Sequence, residues 1–355
     1  MTTSGSQYLL DLLDIDWPII QAPMAGISTP QMAAAVSNTG ALGSIGVGAM
    51  TAAAAAEAMR DFRARSTRSL NVNVFCHHPA VRDSEREATW LEALRPEFDA
   101  VRADAPRSLR EIYRSFVADE AMFSALLAAR PRVLSCHFGL PSAAWLSACR
   151  AAGIVVLATA TNFTEATACV NAGVQAIIAQ GYEAGGHRGI FDPDGPDERL
   201  STLTLTRLLA RKLNVPVIAA GGIMDGRGVS AALRLGAGAA QLGTAFVGTQ
   251  ESAADEGYRA ALFSPAAEHT VMTRALSGRP ARCLANRFTT FGTTVTQRVP
   301  SYPIAYDAAK ALHAAAKAVG EWGYGAQWAG QGAPLARRLP AAALVAALVE
   351  ELNGP

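Results

Sequence analysis

The amino-acid sequence predicts an α/β protein, a (β/α)8 TIM barrel that carries a smaller, mainly helical cap domain. Two observations indicate this fold class. Eight short apolar runs rich in β-branched residues are separated by helical segments, and such uninterrupted runs are typical of parallel strands buried on both faces. From the fifth run onward the spacing is about 20 to 40 residues, which suits βα units that close into a barrel.

The predicted elements alternate regularly along most of the chain. Strands are predicted over residues 18–22, 41–47, 70–75, 133–138, 154–159, 176–180, 216–220 and 239–246. Helices are predicted over residues 30–38, 52–63, 142–152, 163–171, 203–213 and 228–235, with a closing amphipathic helix over 337–352. Glycine ends several of these helices just before the next strand, as at Gly173 and Gly236, where a helix C-terminus favours it.

Two long segments, residues 77–132 and 251–335, interrupt this alternation. Both contain large aromatic residues, and structureless loops of this length are rare in compact domains. We therefore expect both segments to add helices over the mouth of the barrel. The predicted division is into a barrel and a cap with the substrate region. Residues 1–78, 131–255 and 335–355 form the barrel, and residues 79–130 and 256–334 form the cap.

Composition narrows the possible partners. The chain has 355 residues, half of them hydrophobic, and a formal charge of +1, so it lacks the basic excess of a nucleic-acid-binding protein. No apolar run reaches the roughly 18 residues of a membrane span, and no secretion signal is visible. The five cysteines are scattered, which favours neither a disulfide framework nor a metal site. We expect a cytoplasmic monomer or homodimer that contacts neither nucleic acid nor membrane.

Glycine-rich turns follow the last three predicted strands, at residues 180–189, 220–226 and 241–244. Glycine lets the backbone approach a ligand closely, and bare N–H groups can bind an anion. Barrels commonly bind a phosphate after strands seven and eight. Gly226 and Gly228 also open a helix whose N-terminus can accept an anion. The alternative is that these glycines only close tight turns.

Amide side chains are predicted at the ends of other strands. Asn73 lies in the third strand and Gln180 ends the sixth, where paired donors and acceptors can bind the edge of a flat heterocycle. Met24 and the Ala22 backbone follow the first strand and can lie along the face of such a ring. A flavin requires this combination of an apolar slot and a few fixed hydrogen bonds. Buried polar packing is the alternative for both amides.

Histidines at three places in the sequence are considered for chemistry: His137, His187 and the adjacent pair His77 and His78. His137 ends the fourth strand, and an imidazole there can accept a proton from a weak carbon acid, although a structural histidine is the alternative. His187 lies in a glycine turn, where a hydrogen bond to the cofactor or backbone is expected. The adjacent His77 and His78 lack a carboxylate partner in sequence and make poor metal ligands.

Tyr302, Tyr306 and Lys310 recur every four residues, so they share one face if the helix after Pro303 includes them. Two phenols and an ammonium group form a pocket suited to a small anion. An amphipathic helix with half-buried tyrosines and a solvated lysine is the alternative.

Taken together, these motifs resemble the nitronate monooxygenases, formerly called 2-nitropropane dioxygenases, and in particular their class I. The resemblance covers nearly the whole chain and is carried by QAPMAG at 21–26, SCHFG at 135–139, QGYEAGGH at 180–187, AAGGIM at 219–224 and QLGT at 241–244. Flavin-dependent enoyl-acyl-carrier-protein reductases share a similar glycine motif. His137 and the helix with Tyr302, Tyr306 and Lys310 favour the nitronate enzymes.

The resemblance implies a tightly bound FMN in a barrel with a helical cap. The implied catalytic residue is His137. The implied substrate contacts are Tyr113, Tyr302, Tyr306 and Lys310. The implied cofactor contacts are Ala22, Met24, Asn73, Gln180, Gly185, Gly186, Gly222, Gln241, Leu242, Gly243 and Thr244.

The expected activity is FMN-dependent oxidation of small anionic alkyl nitronates, such as propionate 3-nitronate, by O2 to an aldehyde and nitrite, without a nicotinamide and with no metal. An NAD(P)H-dependent flavin reductase of enoyl thioesters is the nearest alternative. A flavin-free barrel that acts on a sugar phosphate as a lyase or isomerase, and a flavin carrier without catalysis, also remain open at this point.

Overall fold

The computed structural model describes residues 4–354, which form eight parallel barrel strands, a ring of helices and a cap. The strands in chain order are β1 (Ile19–Gln21), β2 (Gly43–Gly46), β3 (Leu70–Phe75), β4 (Val133–His137), β5 (Val155–Ala160), β6 (Ala176–Gln180), β7 (Gly186–His187), β8 (Val217–Ala220), β9 (Ala239–Leu242), β10 (Thr270–Thr273) and β11 (Ala281–Leu284). The helices are α1 (Ser4–Leu13), α2 (Pro30–Ser37), α3 (Ala52–Arg65), α4 (Ser84–Ala100), α5 (Glu120–Ala129), α6 (Ala143–Ala151), α7 (Phe163–Asn171), α8 (Thr202–Lys212), α9 (Gly226–Arg234), α10 (Thr244–Val247), α11 (Glu256–Leu262), α12 (Arg287–Thr294), α13 (Ile304–Ala318) and α14 (Ala341–Asn353).

The barrel strands pair in the order β1-β9-β8-β6-β5-β4-β3-β2, all in parallel. A parallel bridge between Ile20 and Leu42 joins β1 to the chain entering β2, which nearly completes the ring. The fold class predicted from the sequence is therefore confirmed. Closure directs the carboxyl ends of all eight strands to one mouth, where ligands bind in this fold.

The interior of the barrel is filled by aliphatic side chains. Ile20, Val155 and Ile218 point inward and pack in one cluster with Leu9 and Leu13 of α1. Helix α1 therefore covers the end of the barrel opposite the mouth. The sequence did not predict this helix, which precedes the first βα unit and belongs to none of them.

Helices of the outer ring begin at polar residues that cap them. The capping side chains that accept a backbone N–H are Thr29, Thr51, Ser142, Asn162, Ser201 and Asp225. Such caps satisfy N–H groups that have no partner within the helix, and each stabilises a helix by about 1 kcal/mol. The ends of the helices predicted for the outer ring lie within two residues of the helix ends in the structure.

Helices α4, α12 and α13 build the cap. Trp90, Phe98, Phe288 and Leu312 are buried in one cluster between them. Helix α5 packs differently, because its Leu126 belongs to the barrel cluster. The division of the chain at residues 79–130 and 256–334 stays a prediction.

Three expectations about elements were wrong. The additions over the mouth are not helical alone, because β10, β11 and β7 form an antiparallel sheet. The last barrel strand ends at Leu242 rather than at residue 246, because the chain turns at Gly243 into α10. The closing helix begins at Ala341 rather than at residue 337, immediately after Pro340.

Within residues 4–354, no helix combines the length and the apolar character needed to cross a membrane.

Candidate active site

A deep cavity lies at the carboxyl ends of the barrel strands, between the barrel and the cap. Every site residue implied by the family resemblance lines it, with the exception of Leu242. The lining candidates are His137, Tyr113, Tyr302, Tyr306, Lys310, Ala22, Met24, Asn73, Gln180, Gly185, Gly186, Gly222, Gln241, Gly243 and Thr244. Segments as distant as residues 22 and 332 therefore meet around one space.

Leu242 does not reach this cavity. Its side chain is buried in the cluster between the strands and the outer helices. The Leu242 carbonyl accepts a hydrogen bond from the N–H of Ala22 at 2.8 Å. Its contribution to the site is thus to fix the first strand against the ninth.

The turn after β6 requires glycine at its closest approach to the C-terminal segment. A Cβ atom on Gly185 would lie 2.4 Å from the backbone nitrogen of Gly330 and 2.5 Å from the carbonyl carbon of Ala329. Backbone atoms cannot move aside as a flexible side chain can. Only glycine therefore allows the turn to rest against the segment that closes the cavity.

Backbone N–H groups at two turns are available to a ligand. Those of Gly222, Gly243 and Thr244 lie in the cavity wall, and none has a hydrogen-bond acceptor within residues 4–354. Three such donors after neighbouring strands suit a phosphate group.

The expectation of an anion at the N-terminus of α9 was wrong. The Gly226 N–H donates to Glu351 Oε2 at 2.8 Å, and the Gly228 N–H donates to Asp225 Oδ1 at 2.7 Å. Carboxylates of the protein itself thus occupy these donors.

The three amide side chains differ in what they offer to a ligand. Gln180 has a partner at both polar atoms, because its Nε2 donates to the His187 carbonyl at 3.0 Å and its Oε1 accepts from the Gly189 N–H at 2.7 Å. Asn73 donates through Nδ2 to Ser135. Gln241 Oε1 is buried without a partner among the described residues, although the side chain lines the cavity. Such an orphaned acceptor indicates that a donor of a bound molecule belongs there.

His137 is held as a neutral imidazole. Its Nε2 lies 3.2 Å from the carbonyl oxygen of His187, which can only accept, so Nε2 carries the proton. Nδ1 then accepts from the Thr159 hydroxyl at 3.0 Å. Burial lowers the pKa of His137 to about 4, so the ring is uncharged at neutral pH.

Three phenols and one ammonium group line the cap side of the cavity. The Tyr113 ring lies 6.4 Å from Tyr302 and 6.0 Å from Tyr306, between ring centroids. Lys310 Nζ lies 5.3 Å from the centroids of Tyr113 and Tyr306. Burial raises the pKa of all three phenols, so they stay protonated donors. The Tyr302 hydroxyl is buried without a partner among residues 4–354, which again leaves a place for a ligand.

This cluster is assembled differently from the sequence prediction. Helix α13 begins at Ile304, so Tyr302 precedes the helix and does not share its face by helical spacing. Tyr113 comes from the loop before α5. Asp307 of α13 fixes that loop, because its carboxylate accepts from the Arg110 N–H at 3.0 Å.

The charge in the cavity is positive. No Asp or Glu lines it among the described residues, whereas Lys310 does so from a position open to solvent. Partial burial lowers the pKa of Lys310 from its usual value, and Asp307 opposes this change. A small anion is therefore favoured over a cation or a neutral molecule of the same shape.

Several lining residues were missed by reasoning from the sequence. Tyr258 of α11 donates to the Trp328 carbonyl, and both residues line the cavity. Thr159, at the end of β5, is the hydrogen-bond partner of His137. Position at a strand end was a signal that could have identified Thr159, whereas nothing local marks Tyr258 or Trp328.

Comparison with known proteins gives consistent matches over the whole chain. Residues 6–351 match the family model described as nitronate monooxygenase. A nitronate monooxygenase of Paraburkholderia phytofirmans is 58% identical over 351 residues, covering 99% of this chain and 96% of that protein. One from Pseudomonas aeruginosa is 50% identical over 344 residues, covering 97% of this chain and 98% of that protein.

Solved structures show the same likeness. Nitroalkane oxidase from Streptomyces ansochromogenes superimposes with a TM-score of 0.88 at 38% identity, covering 97% of each chain. FabK from Thermotoga maritima is more distant, with a TM-score of 0.74 at 28% identity over 97% of this chain and 95% of that one. These matches extend over barrel and cap together and place the chain among the flavin-dependent oxidoreductases. Within that class, it belongs to the nitronate monooxygenase family.

Proposed function

We propose that this protein oxidises small alkyl nitronates, such as propionate 3-nitronate, with O2 to an aldehyde and nitrite, using FMN. One observation carries the substrate class. The chamber under the cap combines Lys310 with three protonated phenols and is lined by no carboxylate among the described residues. A nitronate is small, planar and anionic, so it matches both the size and the sign of the charge in this chamber.

The donor set of the cavity fits FMN. The free N–H groups of Gly222, Gly243 and Thr244 would hold the phosphate. Gln241 and Asn73 would bond to polar atoms of the flavin ring, and Met24 would lie beside it. When bound, FMN supplies electron transfer between the nitronate and O2. Gln180 acts indirectly in this proposal, since its amide holds the glycine turn in place.

The side chains of the cap bind and orient the anion. Lys310 offers a charged donor, while Tyr113, Tyr302 and Tyr306 offer phenolic hydrogens from three directions. Hydrogen bonds to a charged group contribute about 1.5–3 kcal/mol each. The aromatic rings also exclude water, which strengthens these electrostatic interactions.

His137 has a different role for the two ionisation states of a substrate. A nitronate is already ionised, so no proton needs to be removed, and the neutral ring orients the substrate. A neutral nitroalkane must first lose a proton from carbon. His137 Nδ1 can accept it only after releasing the Thr159 hydroxyl, which now occupies its lone pair.

We further propose that the barrel segments hold the cofactor, whereas the cap segments 79–130 and 256–334 supply the substrate contacts. Tyr113, Tyr302, Tyr306 and Lys310 come from these segments, and the free backbone amides come from the barrel. Substrate preference then depends on the cap.

The direct test is an aerobic assay with propionate 3-nitronate that follows oxygen uptake and nitrite release. We expect both, without any nicotinamide. Anaerobic mixing with NADPH separates the alternative reductase, because rapid bleaching of the flavin would favour reduction of enoyl thioesters. A colourless preparation that FMN does not reconstitute would exclude the proposed reaction altogether.

A further inference from the structure

Arg279 is a buried cation to which the mechanism above gives no role. It lies in the turn between β10 and β11 and is 3% exposed. Its Nη2 donates to the carbonyls of Ile190 and Phe191, and its Nε has no partner within the described part of the chain. Both bonds go to neutral groups, so the charge itself is not neutralised by them.

Among residues 4–354, no carboxylate oxygen lies within 4.0 Å of a nitrogen of Arg279, so Arg279 forms no ion pair. Glu165 and Asp192 are the carboxylates whose charge reaches it, and Arg274 adds a like charge. Glu165 is engaged elsewhere, since it accepts from the N–H groups of Thr161 and Phe191. A buried charge without a paired counter-ion is costly, and the two carboxylates act on Arg279 without forming an ion pair with it.

The guanidinium group lies directly behind the wall of the substrate chamber. It stacks on the Phe138 ring, 4.3 Å from the centroid. Two of the aromatic neighbours of Phe138 line the cavity and lie close to it, His137 at 4.4 Å and Tyr302 at 5.6 Å between ring centroids. Phe138 and the lining rings in contact with it therefore lie between the charge and the chamber. A ring of low polarity screens a charge far less than water does.

The charge of Arg279 acts on three histidines, of which His137 and His187 line the cavity and His77 does not. After burial, its charge is a cause of the lowered pKa values of His77, His137 and His187, which fall to about 3, about 4 and about 3. The same field that disfavours an imidazolium favours an anion at that place.

We propose that Arg279 determines charge specificity: its guanidinium, through Phe138, selects anionic over neutral substrates, and the bound anion adds to the distant negative charges of Glu165 and Asp192. This inference rests on the proposed function, in which the substrate is a nitronate. Arg279 does not touch the substrate and acts at a distance, in contrast to Lys310.

The test compares the Arg279→Met, Arg279→Lys and Arg282→Met holoenzymes. Arg282 is the matched control, because it is also 3% exposed but stacks on Tyr182 and donates to the Tyr182 carbonyl, and neither residue lines the cavity. Calorimetric titration gives the Kd of nitrate, a planar anion, and of nitroethane at about pH 6, where nitroethane stays neutral. We expect Arg279→Met to weaken nitrate binding about tenfold, with little change for nitroethane. Arg279→Lys and Arg282→Met should keep the preference of the wild type for nitrate.

Equal losses for nitrate and nitroethane in Arg279→Met would show a structural role only and would overturn the proposal. If Arg279→Met does not fold, Lys310→Met decides, because the buried charge should still make nitrate bind more tightly than nitroethane. If Lys310→Met no longer binds nitrate more tightly than nitroethane, Arg279 is excluded as a source of the charge selection. A wild type that binds nitrate preferentially but does not oxidise nitronates would contradict the proposed function and leave the charge selection intact.

Discussion

At the scale of single residues, Lys310 is the cation that reaches the cavity itself. It sits over two phenol rings at the edge of the chamber, where it can meet a substrate that enters from solvent. Its charge thereby reaches the cavity without the cost of full burial.

Lys310→Met should lower kcat/KM for anionic nitronates by an amount worth about 1.5–3 kcal/mol, because one charged hydrogen bond is lost. Steady-state oxygen uptake with propionate 3-nitronate measures this. Lys317→Met is a suitable control, since Lys317 is on the same helix but pairs with Asp255. An unchanged kcat/KM in Lys310→Met would remove this residue from the site.

Gly185→Ala should abolish tight flavin binding, because the new Cβ would lie 2.4 Å from the Gly330 nitrogen and force the turn away from the cavity wall. The flavin absorbance per chain after gel filtration is the measurement. Gly153→Ala serves as a control for strain alone. Gly153 has a positive φ of 78°, which Gly185 does not have, and no neighbouring atom lies within 4 Å of its added Cβ, so this variant introduces strain without a clash. Full flavin content in Gly185→Ala would contradict the need for this close contact.

Residue types at strand ends could be predicted because their position follows from the strand pattern. His137, Asn73 and Gln180 reach the cavity for that reason. Their bonding could not be predicted, since it depends on the path of the turn after β6. Gln180 is the clearest case, because its amide binds residues 187 and 189 of its own turn.

At the scale of elements, the βα units were predictable and the connections across the cap were not. Apolar runs and helix caps are local signals, so β3, α7 and β6 were predicted with the bounds they have. The sheet of β10, β11 and β7 depends on pairing between residues about 100 positions apart, as Arg282 with Gly186. No local pattern records such a pairing, and β7 is only two residues long.

The contact of α14 with α9 explains why the glycines that open α9 do not bind a ligand. Glu351 accepts from the Gly226 N–H and pairs with Arg337 at 2.6 Å. A carboxylate of the chain thus occupies the positive end of the helix, as an external anion would.

Glu351→Gln should lower the free energy of unfolding by about 1 kcal/mol, through loss of the charged bonds to Gly226 and Arg337. Flavin content should not change, because Gly226 does not line the cavity. Urea denaturation measures the first quantity and flavin absorbance the second. The neighbouring Glu350→Gln, at an exposed position, is the control and should have little effect. A loss of flavin in Glu351→Gln would indicate that the N-terminus of α9 contributes to cofactor binding after all.

At the scale of the whole molecule, three histidines whose pKa values are lowered make the free energy of unfolding depend on pH. Burial lowers the pKa values of His77, His137 and His187 to about 3, about 4 and about 3, below the value of 6.5 in an unfolded chain. Between about pH 6.5 and pH 4 the unfolded state binds protons that the folded state does not. Stability is therefore complete above this window and falls as the pH decreases through it.

The free energy of unfolding should fall by up to about 4 kcal/mol per pH unit in this window, since each histidine contributes about 1.4 kcal/mol per unit. His77→Phe should reduce the slope by about a third. His77 is 1% exposed, both its ring nitrogens lack partners among residues 4–354, and it does not line the cavity. Denaturant titrations from pH 5 to pH 7 test this, and an unaltered slope in His77→Phe would show that this ring titrates normally.

The wall of the cavity is drawn from nearly the full length of the chain, from Ala22 to Gly332. During synthesis, the Gly185 turn leaves the ribosome well before the residues at 329–330 against which it rests. A nascent barrel consequently lacks one side of its binding chamber until translation is almost finished. If the cavity holds the proposed cofactor, we expect loading only after translation, and C-terminally truncated chains should emerge as apoprotein.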